Sequence, residues 1–199
     1  MNDPVHLGVL LSGSGRTLQN LLDRIADGSL RAKIDVVISS DPKAYGLERA
    51  TKAGIPAVTV ARKPFKDAEG HSKAVTEALE RHPVDLVIMA GYIHLYLLPR
   101  KWAGRVLNIH PALLPKYGGK GMYGHFVHEA VIRAGERESG CTVHFADLEY
   151  DHGAIILQKK VPVKPGDTPE ALAARVFEAE CEAYPEAIRK VAAGVPVSR

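Results

Sequence analysis

The chain has 199 residues, 46% of them apolar and 25% charged, with a formal charge of +3. This is ordinary globular composition, ample for one domain or two small lobes around a real core. No apolar run approaches the ~20 residues that span a bilayer, the first residues lack a charged segment followed by an apolar one, and no basic cluster interleaves with aromatics, so membrane and nucleic-acid partners are not expected and a cytoplasmic location is.

His6 to Ser12 (HLGVLLS) reads as a buried strand, a short apolar run bounded by a glycine-rich turn. Ser12-Gly13-Ser14-Gly15-Arg16-Thr17 follows, and Leu18, Leu21, Leu22 and Ile25 then recur at helical spacing. A strand–glycine loop–helix junction presents free main-chain N–H groups at the positive end of a helix, an arrangement that holds phosphate. The G-x-G-x-x-G dinucleotide pattern is incomplete and the P-loop lysine is absent. That leaves a monophosphate cradle, with Arg16 and the Thr17 hydroxyl as added donors, or a purely structural turn.

Ile34 to Ser39 is a second strand, Tyr45 to Ala53 a helix closed by Gly54, and Pro56 to Val60 a third short strand. His71 to Arg81 places Ala74, Val75, Ala78 and Leu79 on one helical face, and Asp85 to Ala90 is a continuous apolar strand ending at Gly91-Tyr92. Strands alternating with helices at this spacing predict a mainly parallel, Rossmann-like α/β sheet with helices on both faces. Ligands on such sheets sit at the carboxyl ends of the strands. The glycine loop, the Gly91 to Leu95 turn and the Asn108 to Pro111 bend are all strand-end features and are expected to share one cleft.

The stretch from Leu107 to Gly124 (LNIHPALLPKYGGKGMYG) carries the densest signal. Residues two apart in an extended segment point to the same side, so Asn108 and His110 project together. Pro111 and Pro115 restrict the backbone around them, and Gly118, Gly119, Gly121 and Gly124 leave room for a ligand. A lone histidine is more often structural than catalytic; its place at a strand end beside an amide argues the other way. His125 to Ala134 reads as a helix ended by Gly135, and Cys141 to Phe145 alternates as a strand. Asp147 to His152 is an acidic loop, and Ala154 to Val163 a long strand that pairs antiparallel with Cys141 to Phe145. Asp167 or Thr168 caps a last helix with Pro169 at its first position. Leu172, Val176, Ala183 and Ile188 form its apolar face, and Pro185 is expected to break or kink it. Cys141 and Cys181 read as reduced packing residues. None of the nine histidines stands at zinc-binding spacing, so no metal is expected. No repeat or linker interrupts residues 1–199, which read as one compact unit.

The blocks SGSGRTLQNLL, AGYIHLYLLP, NIHPALLPKYGGKGMYGHFVHEAV, CTVHF-ADLEYDHG-AIILQ and EAECEAYPEAI resemble, in order and spacing, the phosphoribosylglycinamide formyltransferase family of folate-dependent formyltransferases. The resemblance runs from Leu7 to about Ile188. It implies formyl transfer from 10-formyltetrahydrofolate, as co-substrate, to the primary amine of glycinamide ribonucleotide in purine synthesis. In that case the N-terminal half binds the ribonucleotide, and the C-terminal half binds folate and carries catalysis. By position Asn108, His110 and Asp151 match the family's catalytic trio. Gly15, Arg16 and Thr17 lie where the ribonucleotide phosphate is held, and Glu180 where a carboxylate contacts the ribonucleotide. Ile93, His94, Leu95 and Tyr96, with Asn108 and the loop Asp147, Leu148, Glu149, Tyr150 and Asp151, lie where the folate pterin is gripped, largely by main chain.

The residue types suit that chemistry. An amine attacking a formyl carbon needs donors for a developing oxyanion, a role open to Asn108 and a protonated His110. Asp151 beside His110 is expected to raise the imidazole pKa and to relay the amine's proton through water. The sequence departs from the family's common pattern at Arg16-Thr17, His94, Tyr96 and Ala154. The alternatives are a related formyltransferase or a 10-formyltetrahydrofolate hydrolase with another acceptor, or a nucleotide-binding protein without catalysis. The expected assembly is a monomer or homodimer.

Overall fold

A computed structural model describes residues 3–194. In chain order the elements are β1 (Val5–Leu11), α1 (Arg16–Ala26), β2 (Ala32–Ser39), α2 (Tyr45–Lys52), β3 (Ala57–Thr59), α3 (Ala68–Leu79), β4 (Leu86–Met89), a 3-10 turn (Arg100–Trp102), β5 (Val106–His110), α4 (His125–Arg133), β6 (Glu138–Phe145), β7 (Ile155–Pro162) and α5 (Pro169–Ala192). The strands form a seven-stranded mixed sheet in the order β3-β2-β1-β4-β5-β6-β7, with helices around it. By compactness the described chain divides within β5 into two units, one up to Leu107 and one from Asn108.

In the first unit β1 pairs in parallel with β2 and β4, and β2 pairs in parallel with β3. Leu7, Val9, Leu10 and Leu11 of β1, Val36 to Ile38 of β2 and Leu86 to Met89 of β4 are all buried. A strand covered on both faces has no polar side to alternate with, which is why these segments read as unbroken apolar runs. Helix α1 turns Leu18 and Leu21 inward and ties Gln19 to Asp23 on its outer side (2.9 Å). Helix α3 starts three residues ahead of the predicted His71, because Asp67 caps it by accepting the Gly70 N–H (2.8 Å).

In the second unit β6 and β7 pair antiparallel, from Glu138 opposite Pro162 to His144 opposite Ile155, with a register shift between Val143 and His144. Helix α5 packs on both strands and on α4. Thr168 caps it by accepting the Ala171 N–H, and all four residues of the expected apolar face are buried. Pro185 does not end it. The helix runs on to Ala192, with Ala183, Tyr184, Pro185, Ala187 and Ile188 buried on either side of the missing N–H. A proline inside a helix costs about 3 kcal/mol relative to alanine, and burial of this dense apolar segment offsets that cost. Among the described residues no helix is long and apolar enough to cross a membrane.

Candidate active site

Strand β5 delivers Asn108 half-buried and His110 buried, and both reach Asp151. The Asn108 Nδ2 amide donates to Asp151 Oδ1 (3.2 Å) and to His144 Nε2 (3.1 Å). His110 Nδ1 lies 3.4 Å from Asp151 Oδ2. The same carboxylate oxygen accepts the Gly119 N–H (3.0 Å). On its other side His110 Nε2 lies 2.7 Å from the Tyr117 carbonyl.

Two non-glycine residues hold positive φ around this cluster, Tyr117 at 58° and Asp151 at 56°. Such a conformation is uncommon outside glycine, less so for Asp, and surrounding bonds must hold it. The Asp151 carboxylate has that support from Gly119 and Asn108. Gly118 lets the chain pass: a Cβ there would meet Leu114 Cδ2 at 2.5 Å and Asp151 Cβ at 3.2 Å. Gly119, Gly121 and Gly124 instead serve positive φ angles of 93°, 90° and 54°, so their role here is conformational.

The partners fix the imidazole tautomers, since a carbonyl only accepts. His110 therefore carries hydrogen on Nε2 toward Tyr117 and, when neutral, turns its Nδ1 lone pair to Asp151. His144 carries hydrogen on Nδ1, bonded to the Phe145 carbonyl (2.8 Å), and accepts from Asn108 on Nε2. Burial pushes the His110 pKa down, and this outweighs the Asp151 charge and the Tyr117 carbonyl, which act upward. The expected net rise from Asp151 is thus not met, because desolvation of an almost fully enclosed ring is the larger effect. For Asp151, burial acts upward, but the His144 imidazole, the His110 charge and the Gly119 N–H together hold the carboxyl below its ordinary value. The cluster accordingly pairs a carboxylate with an imidazole inclined to be neutral.

The glycine loop is built tightly. Gly15 caps α1 at φ 70°, and a Cβ there would lie 2.6 Å from Gly46 Cα. Gly46 N–H bonds the Gly13 carbonyl (3.1 Å), and Arg49 holds the Ser14 carbonyl (2.9 Å) and Gln19 (2.8 Å). Gly15 supplies no side-chain cap to α1, and in the first turn Arg16 is exposed and Thr17 half-buried. Ser12 ties this loop to the turn after β4, its N–H to the Gly91 carbonyl and its Oγ to the Ile93 N–H (3.2 Å).

In that turn Ile93 is exposed, and His94 stands edge-on to His71 and Tyr92. Tyr96 is committed to the core: its hydroxyl pairs with Thr76 (2.8 Å), and burial pushes the phenol up to about 12. In the acidic loop Asp147 accepts the Glu149 N–H (2.9 Å) and pairs with His152 (2.8 Å), and Leu148, Glu149 and Tyr150 are exposed. Glu180 lies half-buried on α5, close enough to Cys141 to reinforce the effect of burial, which raises that thiol to about 12. Among the described residues no group of three or more His, Cys, Asp or Glu side chains is arranged to hold a metal.

His144 is the member of the cluster that sequence reasoning did not single out. Its signal is the alternation in β6: Thr142 and His144 are polar and buried while their neighbours are apolar. Thr142 spends its hydroxyl on the Ala112 carbonyl (2.6 Å), the Leu114 N–H (3.0 Å) and Gln158 (2.9 Å), fastening the segment after β5.

A mixed α/β sheet thus carries an Asn–His–Asp cluster set by one strand and a nearby loop. The sequence pattern of formyl transferases matches residues 6–188. The chain is 43% identical over 186 residues to the phosphoribosylglycinamide formyltransferase of Haemophilus influenzae, covering 92% of this chain and 85% of that one. It is 42% identical over 192 residues to the trifunctional purine biosynthetic protein adenosine-3 of Drosophila melanogaster; the match takes in 94% of this chain but spans only 14% of that protein's length. Its fold matches glycinamide ribonucleotide transformylase 1 from Symbiobacterium toebii with a TM-score of 0.91 at 40% identity, covering 100% of this chain and 92% of that one. The chain belongs to the formyl transferase family.

Proposed function

We propose that the protein transfers the formyl group of 10-formyltetrahydrofolate to the primary amine of glycinamide ribonucleotide, a step of purine biosynthesis. The observation that carries this reading is the Asn108–His110–Asp151 cluster, set in a chain so similar to phosphoribosylglycinamide formyltransferases. The proposed folate contacts are Ile93, His94, Leu95, Tyr96, Asn108 and residues 147–151. The proposed ribonucleotide contacts are Gly15, Arg16, Thr17 and Glu180. The proposed setting is the cytoplasm.

The reaction forms a bond from the amine nitrogen to the formyl carbon and breaks the bond from that carbon to folate N10. The amine gives up one proton and N10 gains one. The His110 Nδ1 lone pair, facing the Asp151 carboxylate, is placed to hold that proton in between, directly or through water. The imidazolium formed has an acceptor at each ring nitrogen, Tyr117 and Asp151.

The oxyanion of the tetrahedral centre accepts a hydrogen bond from the Asn108 amide. The two hydrogens of that amide are held by His144 and Asp151, so one must be released. The imidazolium formed at His110 pairs with the Asp151 carboxylate and weakens its claim on Asn108 as the oxyanion forms. No covalent enzyme intermediate is required, because the amine is itself the nucleophile.

The test is to mix the protein with 10-formyltetrahydrofolate and follow tetrahydrofolate release with and without glycinamide ribonucleotide. Release that depends on the acceptor supports the proposal. Release without acceptor would make the protein a hydrolase, and no release with either would reject this substrate pair.

A further inference from the structure

Tyr117 offers its carbonyl to His110 while its side chain leads away from the cluster. Its hydroxyl donates to Glu136 Oε1 (3.0 Å), and the same oxygen accepts Lys116 Nζ (2.8 Å). Glu136 lies just beyond α4, so this carboxylate ties the segment 116–119 to the turn that leads into β6. From that fixed point the segment supplies two main-chain groups, the Tyr117 carbonyl to His110 and the Gly119 N–H to Asp151.

Among the described residues Tyr117 is held by its hydroxyl on Glu136 and its carbonyl on His110. Its backbone sits at φ 58°, where a side chain is unfavourable, and Gly118 and Gly119 follow with no stiffness of their own. Tyr117 is only half-buried and borders a cavity of about 310 Å³, lined also by Leu113, Leu114, Val131 and Glu136. The bond to Glu136 therefore decides where the ring, and with it the carbonyl, is held. The ion pair with Lys116 keeps Glu136 charged, its carboxyl held down by the lysine first and by the tyrosine second.

We propose that Glu136 is a positioning residue: through the Tyr117 hydroxyl it holds the Tyr117 carbonyl on His110 Nε2 and so keeps the His110 Nδ1 lone pair open. The inference rests on the formyl-transfer reading for its rate consequence, though not for its geometry. Two acceptors compete for the single hydrogen of a neutral His110. Asp151, left alone, draws it to Nδ1; the Tyr117 carbonyl, closer at 2.7 Å, draws it to Nε2. Of the groups facing this ring, Asp151 and the Tyr117 carbonyl favour charge on it, while His144 and His128 oppose charge. Loosening the clamp passes the hydrogen to Nδ1, where it points at Asp151 and blocks the proton acceptor.

The test labels the histidines of the full chain with 15N and reads the His110 ring nitrogens, assigned by their loss in His110→Asn. Native protein is expected to show neutral His110 almost wholly as the Nε2–H form. In Tyr117→Phe and Glu136→Ala the Nδ1–H form should reach a tenth or more of the population, and kcat should fall about tenfold with KM for both substrates within about twofold. Glu136→Gln keeps an acceptor for the tyrosine and should stay within about threefold of native kcat. An unchanged tautomer ratio in both disrupting variants overturns the inference, as does equal damage from Gln and Ala. A chain that turns over neither substrate would reject the proposed function, while the tautomer series would still decide this one.

Discussion

Asn108 donates to His144 across 3.1 Å, and His144 is in turn held by the Phe145 carbonyl on its other nitrogen. A flipped amide would set its oxygen against the His144 lone pair and the Asp151 carboxylate together, so these two acceptors fix which way the amide faces. His144→Phe fills the space and removes the acceptor. We expect kcat to fall about tenfold with little change in KM. The double variant with Asn108→Ala should lose little more than Asn108→Ala alone, because the two side chains act as a unit. Fully additive losses would show that His144 does not work through Asn108.

Asp151 is the point where charge and backbone strain coincide. Asp151→Asn keeps a residue that tolerates left-handed φ, so the loop should stay folded while the negative charge is lost. The expected loss in kcat is roughly 10²–10⁴-fold, the usual worth of a positioned acid or base. Turnover within threefold of native, in protein with native near-ultraviolet circular dichroism, would remove Asp151 from the proton route.

Much of this was legible along the chain because the information is local. Two-residue spacing placed Asn108 and His110 on one side of β5, glycine and cap residues marked α1 and α5, and unbroken apolar runs marked the buried strands. What was hidden depends on contacts between distant segments. His144 reads as one more strand residue until β6 sets it within reach of Asn108, thirty-six positions away. Positive φ at Tyr117 is invisible in a residue type that seldom adopts it, and at Asp151 the residue type permits it without marking it. The direction of the His110 shift could not be read from the neighbouring charge, since it turns on how completely the fold buries the ring. For the same reason Pro185 does not break α5: tertiary burial outweighs a local preference for ending the helix.

Gly15 joins stability to the proposed phosphate site. Gly15→Ala adds a methyl at positive φ and 2.6 Å from the Gly46 backbone, an obstacle that cannot rotate away. We expect a loss of about 1–3 kcal/mol in urea unfolding, the range for enforced backbone strain. KM for the ribonucleotide should rise while KM for the folate donor changes little, because the loop and the first turn of α1 must shift. An unchanged urea midpoint would mean that the loop relaxes freely and is not the rigid cradle proposed.

The fold's acid sensitivity is expected to centre on buried histidines. His128 on α4 is buried, its Nδ1 lacks a hydrogen-bond partner among the described residues, and burial pushes its pKa down to about 4, with His125 and His110 adding to the effect. The unfolded chain takes up this proton near the ordinary 6.5, the folded chain only near 4. Protons therefore favour the unfolded state throughout that window: the stability held above pH 6.5 drains away as pH falls toward 4. His71, His94 and His110 are shifted in the same direction, so the native slope has several contributors. Between pH 7 and pH 5 the His128 share is about 2 kcal/mol. His128→Leu keeps the apolar contacts and removes the titration, so urea unfolding at the two pH values should show a difference smaller by that amount. If the variant loses stability with acid as steeply as the native chain, His128 either titrates near its ordinary value or finds a partner when charged.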